Sequence, residues 1–204
     1  MRGTLYVIAA PSGTGKTTLV KTLIPSLSDI TVSTSHTTRP QRPAEVDTVN
    51  YYFISKNTFE KMIDHHDFIE YATVFKHYYG TSRHWVENTL AQGKDVILEI
   101  DWQGCQQIKK MLPDCISIFI LPPSLHDLEQ RLKHRAQDSD EVIEQRLSDA
   151  KETLSHIKEF DYLVLNADFE TAVNDIRSII KAHRLLQKPQ SARLAGLLAE
   201  FVSG

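Results

Sequence analysis

Four short apolar runs recur along the chain and predict the strands of a parallel sheet. They are Leu5–Ala9, Asp95–Ile100, Ile116–Leu121 and Tyr162–Leu165. Each run is rich in β-branched or other large apolar residues and is too short for a helix, which is typical of strands buried on both faces. We therefore expect these runs to form the centre of the fold.

Segments with apolar residues at helical spacing separate the runs. Pro25 ends the first of these segments and Gly93 ends the second. The predicted helices are Lys16–Ile24, Trp85–Ala91, Leu125–Arg135, Val142–Ile157 and Ala172–Leu186. This alternation of strands and helices predicts an α/β fold with a parallel sheet.

Two segments interrupt the alternation, and the tail departs from it. Val32–Thr81 is rich in Thr, Tyr and Pro, with predicted strands at Asn50–Ser55 and Phe68–Phe75 around a short helix. We interpret it as a small mixed insertion that binds a substrate. His134–Glu141 is polar and lies between two helices. After Gln187–Ser191 the chain ends in a short amphipathic helix, for which docking on the body and a contact in a homo-oligomer both remain open.

Composition narrows the class of protein. The chain has 204 residues, of which 41% are hydrophobic and 24% charged, values that suit one globular domain with inserted subdomains. A net charge of −3 provides no overall field for nucleic acid, so any anion site must be local. No apolar run is long enough to span a bilayer, and we interpret the first run as a strand and not as a signal peptide. Two cysteines, Cys105 and Cys115, are expected to be free buried thiols, which suits a cytoplasmic protein without membrane partners.

The segment directly after the first strand carries the strongest candidate chemistry. Ala10–Thr18 has the sequence A-P-S-G-T-G-K-T-T and matches the phosphate-loop pattern G-x-x-x-x-G-K-[ST], with Ala10 at the first glycine position. The backbone N–H groups of Ser12–Thr18 and the following helix N-terminus form a concave anion nest. Gly13 and Gly15 permit the unusual backbone torsions that such a loop requires.

Two side chains of the loop complete a nucleotide site. Lys16 can reach the β- and γ-phosphates, and the Thr17 hydroxyl can ligate Mg²⁺. The sequence therefore predicts a nucleoside triphosphate site. A phosphate loop alone does not distinguish an NTPase, a switch GTPase and a small-molecule kinase.

Charged residues elsewhere offer further contacts for phosphate or metal. Arg39 and Arg42 are three apart in a segment interrupted by prolines, so they form either a rigid fork for an oxyanion or two solvated loop arginines. Glu99 and Asp101 end a predicted strand on the same side, where carboxylates beside a phosphate loop suit Mg²⁺ or substrate contact. By contrast, the run Asp64–Asp67 (D-H-H-D) predicts a solvated helix end, because adjacent helical residues diverge by about 100°.

Several motifs in order resemble the guanylate kinase family, in particular its bacterial members. They are A-P-S-G-T-G-K-T, S-H-T-T-R-P-Q-R-P-A-E-V, F-I-E-Y, Y-Y-G-T, L-E-I-D-W-Q-G, I-L-P-P-S and R-L-K-H-R. The resemblance covers the chain from about residue 3 to 186. It implies a P-loop NTPase fold in which a parallel sheet core carries an inserted mixed α/β GMP-binding lobe and a short helical lid. The implied boundaries are 1–31, 85–123 and 151–186 for the core, 32–84 for the lobe, 124–150 for the lid and 187–204 for the tail.

The resemblance also implies an activity, the transfer of the γ-phosphate of ATP to GMP with Mg²⁺. The implied ATP-binding residues are Ala10, Pro11, Ser12, Gly13, Thr14, Gly15, Lys16, Thr17, Thr18, Arg131 and Arg135. The implied GMP-binding residues are Ser35, Arg39, Arg42, Tyr51, Glu70, Tyr79, Thr81, Asp101 and Arg146. Catalysis is assigned to Lys16, Arg39, Arg135 and Arg146, and metal binding to Thr17, Asp101 and, through water, Glu99.

The chemistry of guanine supports the choice of acceptor independently. Guanine presents its N1–H and N2–H₂ groups side by side, and a carboxylate such as that of Glu70 can accept from both. Adenine lacks this pair of donors.

Arg131 and Arg135 are four residues apart on one helical face, and with Arg146 they suit the charge that migrates in phosphoryl transfer.

Two other functions remain alternatives, and the chain departs from the family pattern at several glycines. One alternative is a non-catalytic guanylate-kinase-like interaction module, which the intact Gly15–Thr17 disfavours. The other is a kinase for a different nucleoside monophosphate, which Glu70 disfavours. The departures are Ala44, Thr48 and Ala136, each at a family glycine.

Overall fold

Nine strands form two sheets in the computed structural model, which describes residues 2–74, 76–134 and 140–203. In chain order they are β1 (Leu5–Ala9), β2 (Ile30–Val32), β3 (His36–Thr37), β4 (Tyr52–Phe53), β5 (Phe68–Val74), β6 (His77–Ser82), β7 (Asp95–Glu99), β8 (Ile116–Leu121) and β9 (Tyr162–Leu165). The first sheet has the order β2-β7-β1-β8-β9 and the second the order β4-β3-β6-β5.

Nine α-helices connect and cover these strands in the described part of the chain. They are α1 (Lys16–Leu23), α2 (Lys56–Asp64), α3 (Arg83–Ala91), α4 (Trp102–Met111), α5 (Leu125–His134), α6 (Asp140–Ser155), α7 (Phe169–Arg184), α8 (Gln187–Arg193) and α9 (Ala195–Ser203). Short 3₁₀ turns follow α1 and α6 at Ile24–Ser26 and Ile157–Glu159.

The larger sheet is entirely parallel, and β1 lies at its centre. Leu5 pairs with Val96 of β7 on one side, and Tyr6 pairs with Ile116 of β8 on the other. All five residues of β1 are buried, as expected for a strand covered on both faces. Strands β2 and β7 lie on one side of β1, and β8 and β9 lie on the other. The carboxyl end of β1 is therefore a topological switch point, where ligands of open α/β sheets bind.

Two hydrophobic clusters cover the faces of this sheet. On one face, Leu19 and Val20 of α1 and Ile176 of α7 pack against the strands. On the other face, Leu90 of α3 and Ile108 of α4 do the same. The helices on both faces fix the carboxyl ends of β1 and β7 as a rigid platform for the loops that follow.

The smaller sheet belongs to the insertion. In it, β5 and β6 form an antiparallel hairpin whose register shifts between Phe68 and Glu70. Phe59 of α2 is fully buried beneath this sheet and stacks on Phe68 and Tyr78, with ring centroids 4.4 and 5.2 Å apart. Aromatic packing therefore gives the insertion a core of its own.

The predicted α/β fold with a parallel sheet and a mixed insertion is confirmed, with differences in detail. Helix α1 ends at Leu23 and continues as a 3₁₀ turn that contains Pro25. The apolar pattern predicted neither α4 nor the strands β2, β3 and β6. The tail forms two helices, α8 and α9, where one was expected. The predicted strand end Phe75 lies outside the described residues.

Other expectations have clear outcomes. Cys105 and Cys115 are free and buried, and burial raises the pKa of the Cys115 thiol to about 11. Helix α2 ends at Asp64, and the following His65 and His66 are exposed. The described residues contain no group of three or more His, Cys, Asp or Glu side chains that could hold a metal ion. Among the described helices, none combines the length and the apolar character that crossing a membrane requires.

Candidate active site

The loop between β1 and α1 has the backbone geometry of an anion nest. Gly13 and Gly15 have φ angles of 90° and 95°, in the left-handed region that favours glycine. Gly15 is the N-cap of α1 and has no side chain with which to bind the first N–H groups of the helix. These donors and the positive end of the helix dipole therefore point at the space where phosphates would lie.

Side chains from distant segments support this loop from behind. The amide nitrogen of Asn166, at the end of β9, donates a hydrogen bond of 2.7 Å to the carbonyl oxygen of Thr14. Arg131 of α5 donates to the same oxygen at 3.4 Å. A Cβ at Gly13 would lie only 3.0 Å from Leu132 of α5. The loop is thus fixed by buried contacts as well as by its own glycines.

The carboxyl end of β7 meets the start of α1. The Lys16 ammonium donates to the carbonyl oxygen of Ile100 at 3.1 Å and lies 3.9 Å from Oδ1 of Asp101. The Thr17 hydroxyl donates to Oε2 of Glu99 at 2.8 Å. Both predicted carboxylates therefore lie beside the phosphate loop, each facing a different one of its side chains.

A buried carboxylate lies on the lobe side of the cleft. Glu70 of β5 is only 4% exposed, and Thr81 of β6 donates a hydrogen bond of 2.5 Å to its Oε1. The Ser35 hydroxyl lies 3.4 Å from that of Thr81. Burial raises the pKa of Glu70 to about 7, against the opposing effect of the Thr81 hydrogen bond. Glu70 is therefore poised to change its charge near neutral pH.

The arginine segment of the lobe is arranged around an aromatic cluster. The Arg39 guanidinium lies over the rings of Tyr51 and Phe53, 5.6 and 5.7 Å from their centroids. The rings of Tyr51 and Tyr79 meet edge to face at 5.8 Å. Burial raises the pKa of the Tyr51 hydroxyl to about 12, so this group remains a hydrogen-bond donor at neutral pH.

A carboxylate holds the two arginines of this segment together. Oε1 of Glu45 accepts from the Arg39 guanidinium at 2.7 Å, and Oε2 accepts from the backbone N–H of Arg42 at 2.9 Å. The Arg42 side chain itself is exposed. The structure therefore leaves Arg42 accessible and orders Arg39.

The two halves of the site face each other across Asp101. The charge of Asp101 acts on Glu70 and on Tyr51, and the charge of Lys16 also reaches Glu70. The phosphate loop, the carboxyl end of β7 and the lobe thus surround one cleft. Arg146 lies on α6, near Leu147 and Ala150, which pack with α5. The predicted Arg135 lies outside the described residues.

Three residues with clear roles in this geometry received none from the sequence analysis. Glu45 holds the arginine segment and Asn166 holds the phosphate loop. Gly104 of α4 leaves space for the carboxylate of Glu70. A Cβ at Gly104 would lie 2.5 Å from Oε2 of Glu70. Only Glu45 had a local signal, since it follows Arg42 by three residues, the spacing of a single turn.

A phosphate loop at the switch point of a parallel sheet, facing a lobe that carries a buried carboxylate and an arginine segment, defines a P-loop phosphotransferase with a separate acceptor site. Comparisons with known proteins identify which one. The family model described as guanylate kinase matches residues 2–183. The guanylate kinase of Pseudomonas fluorescens (strain Pf0-1) is 53% identical over 200 residues, covering 98% of this chain and 97% of the relative.

Two further relatives agree. The guanylate kinase of Methylococcus capsulatus is 51% identical over 201 residues, covering 98% of each chain. The crystal structure of guanylate kinase from Anaplasma phagocytophilum superposes with a TM-score of 0.78 at 31% identity, covering 91% of this chain and 88% of that one. The chain belongs to the guanylate kinase family, and it is a nucleoside-monophosphate kinase.

Proposed function

We propose that the lobe binds GMP, that the phosphate loop binds ATP, and that the γ-phosphate passes directly between them. One observation carries this assignment of the acceptor. Glu70 is a buried carboxylate bordered by hydroxyl groups, and it lies in the same cleft as Lys16. A buried carboxylate requires donors, and guanine supplies two adjacent ones.

Recognition of the base follows from this arrangement. The ionised Glu70 accepts from N1–H and N2–H₂ of guanine, while Ser35, Thr81 and Asp101 line the same part of the cleft. Adenine would place the lone pair of N1 against the carboxylate. A buried site of this kind rejects the wrong base by roughly 10⁴-fold or more, because its polar groups would lose their partners.

The phosphate of GMP has a separate set of proposed contacts. Arg39 and Arg42 supply the charge, and the hydroxyls of Tyr51 and Tyr79 supply neutral donors. Arg39 is half-buried against aromatic rings, which lowers its freedom to move and strengthens its interaction with an anion. The acceptor oxygen would thereby be held in a defined position.

On the donor side, the phosphate loop Ala10–Thr18 would surround the β- and γ-phosphates, and Lys16 would neutralise their charge. The acceptor is already a phosphate oxygen that is largely ionised near neutral pH, so the reaction needs no general base. The γ-phosphoryl group leaves the β-phosphate oxygen of ATP and bonds to an oxygen of GMP, which yields ADP and GDP. Catalysis is then positioning together with charge neutralisation.

The residues at the end of β7 fit the Mg²⁺ that we propose as the metal ion. Mg²⁺ prefers hard oxygen ligands and retains several waters, so it needs few protein groups. The Thr17 hydroxyl lies 2.8 Å from Glu99, with Asp101 close by, so one hydroxyl and two carboxylates meet at the phosphate loop. Bound there, Mg²⁺ would neutralise charge on the phosphate oxygens. Thr17 would contact it directly and Glu99 through water.

We further propose a division into core (1–31, 85–123, 151–186), GMP-binding lobe (32–84), lid (124–150) and tail (187–204). The separate aromatic core of the lobe supports its boundary. The proposed lid contributes Arg131, Arg135 and Arg146 to the transferring phosphoryl group. Arg131 already contacts the loop through Thr14.

A coupled assay of ADP release tests the activity. ATP and Mg²⁺ are supplied with GMP, AMP, CMP or UMP in separate reactions. We expect turnover with GMP alone. Turnover with a different base would contradict the role of Glu70, and binding of GMP without turnover would favour the interaction module.

Two further properties remain proposals. The two free buried cysteines fit a reducing compartment, and we propose the cytoplasm. Exposed apolar side chains on α9, among them Phe201 and Val202, fit a contact in a homo-oligomer. Light scattering coupled to size-exclusion chromatography would measure the oligomeric state.

A further inference from the structure

Glu45 makes more contacts than a solvated loop residue does. Its carboxylate accepts from the Arg39 guanidinium at 2.7 Å and from the backbone N–H of Arg42 at 2.9 Å. Its backbone carbonyl accepts from the Gln41 side chain at 2.6 Å. The side chains of Glu45 and Arg39 are only 16% and 13% exposed. One residue therefore ties three neighbours of the arginine segment into a single turn.

The charge of Glu45 is retained in this environment. Partial burial opposes ionisation, but the hydrogen bonds from Arg39 and from the backbone of Arg42 outweigh it and hold the pKa of the carboxyl below its ordinary value. A carboxylate that accepts charge-assisted hydrogen bonds from two groups fixes both of them. These contacts therefore order the segment.

Arg39 keeps donors for a second anion while it binds Glu45. A guanidinium has five N–H groups. Of these, Nη1 of Arg39 donates to the carbonyl oxygen of Pro40 and Nη2 donates to the carboxylate of Glu45. Three N–H groups remain, and a bidentate contact with a phosphate requires two. A phosphate can therefore bind Arg39 without displacing Glu45.

We propose that Glu45 is a positioning residue for the acceptor phosphate: it holds Arg39 and the backbone of Arg42 in the geometry that binds the phosphate of GMP. This inference rests on the proposed function of the lobe. It assigns Glu45 no contact with the substrate. Its effect passes through Arg39, whose guanidinium would otherwise move freely above the ring of Tyr51.

A second account of the same contacts makes the opposite prediction. If Glu45 were an internal anion that occupies the place of the phosphate, its removal would free Arg39 and strengthen GMP binding. Simple electrostatics favours the same direction, because a negative charge near the phosphate would be lost. Neutralising Glu45 therefore distinguishes the two accounts by sign and not only by size.

The experiment measures binding of GMP and of guanosine to Glu45→Gln by calorimetry. Guanosine carries the base but no phosphate, so it reports whether the lobe is folded and the base site intact. We expect GMP affinity to fall about tenfold while guanosine affinity stays unchanged, since glutamine can satisfy only one of the two donors. The KM for GMP should rise in parallel, with the KM for ATP unaffected.

Two further variants separate charge from geometry. Glu45→Asp keeps the charge but shortens the arm by one methylene, so it should also lose GMP affinity. Glu60→Gln removes one negative charge from an exposed side chain of α2 in the same lobe and should bind GMP as the unaltered protein does. Equal or tighter GMP binding in Glu45→Gln would overturn the inference.

A wrong assignment of GMP as the acceptor would give a different experimental result. The unaltered protein must first phosphorylate GMP in the coupled assay. If it does not, the proposed acceptor is wrong, whatever Glu45 does. If it does, and Glu45→Gln loses guanosine and GMP affinity equally, Glu45 supports the whole lobe and has no specific role at the phosphate.

Discussion

The phosphate loop and the insertion lobe are both proposed to bind phosphate, but they present different atoms to it. The loop uses backbone N–H groups, whose directions depend on the left-handed torsions of Gly13 and Gly15. The lobe would use the side chains of Arg39, Arg42 and two tyrosines, and the direction of Arg39 depends on Glu45 and on aromatic packing. A backbone site fails when a glycine gains a side chain, whereas a side-chain site fails when a supporting residue is lost.

This contrast predicts separable defects. Changes at the loop should affect phosphoryl transfer and ATP, and changes in the lobe should affect GMP. A variant of Lys16, Glu70 or Gly104 would weaken the contrast if it altered both substrates equally.

The largest effect is expected for Lys16→Ala. Lys16 is the loop side chain proposed to neutralise the charge of the transferring phosphoryl group. Removing one donor of this kind costs about 10²- to 10³-fold in kcat. GMP affinity, measured by calorimetry, should be nearly unchanged. Lys21→Ala, on the exposed face of the same helix, is the matched control. Loss of GMP binding together with turnover would show that the two halves are not separable.

Glu70→Gln should weaken GMP binding by about 10²-fold, because an amide offers a donor where guanine needs an acceptor.

The affinity of the unaltered protein for guanosine should also rise with pH between about pH 6 and about pH 8. Only the ionised Glu70 accepts both donors, and burial raises its pKa to about 7.

The pH profile separates Glu70 from other groups. Guanosine is chosen because the second pKa of a phosphate is itself about 6. The dependence should disappear in Glu70→Gln. A profile that persists in this variant would assign the titration to another group.

Gly104→Ala should produce a moderate and selective defect. The new Cβ would lie 2.5 Å from Oε2 of Glu70, so the carboxylate must shift. We expect the KM for GMP to rise about tenfold and the KM for ATP to stay constant. Gly196→Ala in α9 introduces its methyl group into open space and serves as the control. An unchanged KM for GMP would mean that Glu70 tolerates displacement.

Thr48→Gly should have the smallest effect, and on stability. Thr48 has a φ of 65°, which a β-branched residue adopts only with strain. Relief of this strain should outweigh the greater entropy of glycine in the unfolded chain and stabilise the protein by about 0.5 to 1 kcal/mol. That corresponds to a rise in Tm of about 1 to 4 °C.

Val49→Gly is the control, because Val49 is not among the residues with positive φ. It should lower Tm through entropy alone. A lower Tm in both variants would show that the strain at Thr48 is small.

The core of the fold could be predicted because its signals are local. The bounds of β1 and β8 coincide with apolar runs, since a strand buried on both faces needs apolar residues along its length. The edge strand β9 also coincides with its apolar run, although Leu163 and Leu165 are half-exposed. Helix α4 was not predicted, because Cys105 and Ile108 are its only buried side chains and because Gly104 interrupts its apolar pattern. The reason for that glycine lies far away in the chain, at Glu70.

In the lobe and the candidate site, too, features with a local pattern could be predicted and features that depend on long-range contacts could not. Strand β3 has two residues and His36 pairs with Tyr52 and Gly80, so no local pattern marks it, whereas β4 lies within the predicted strand Asn50–Ser55. The motif residues of the phosphate loop could be predicted from their spacing. The residues that hold them, Asn166 for the loop and Glu45 for Arg39, act through contacts that only the folded chain creates.

The central position of β1 has a consequence for synthesis. Strand β1 pairs on both sides with segments made much later, around Val96 and Ile116. At about 5 to 20 residues per second, β1 must wait on the order of ten seconds for its second neighbour. An apolar strand without partners is prone to aggregation during that time, and the phosphate loop that follows it cannot be supported until Asn166 has emerged. Nucleotide binding therefore requires synthesis at least as far as Asn166.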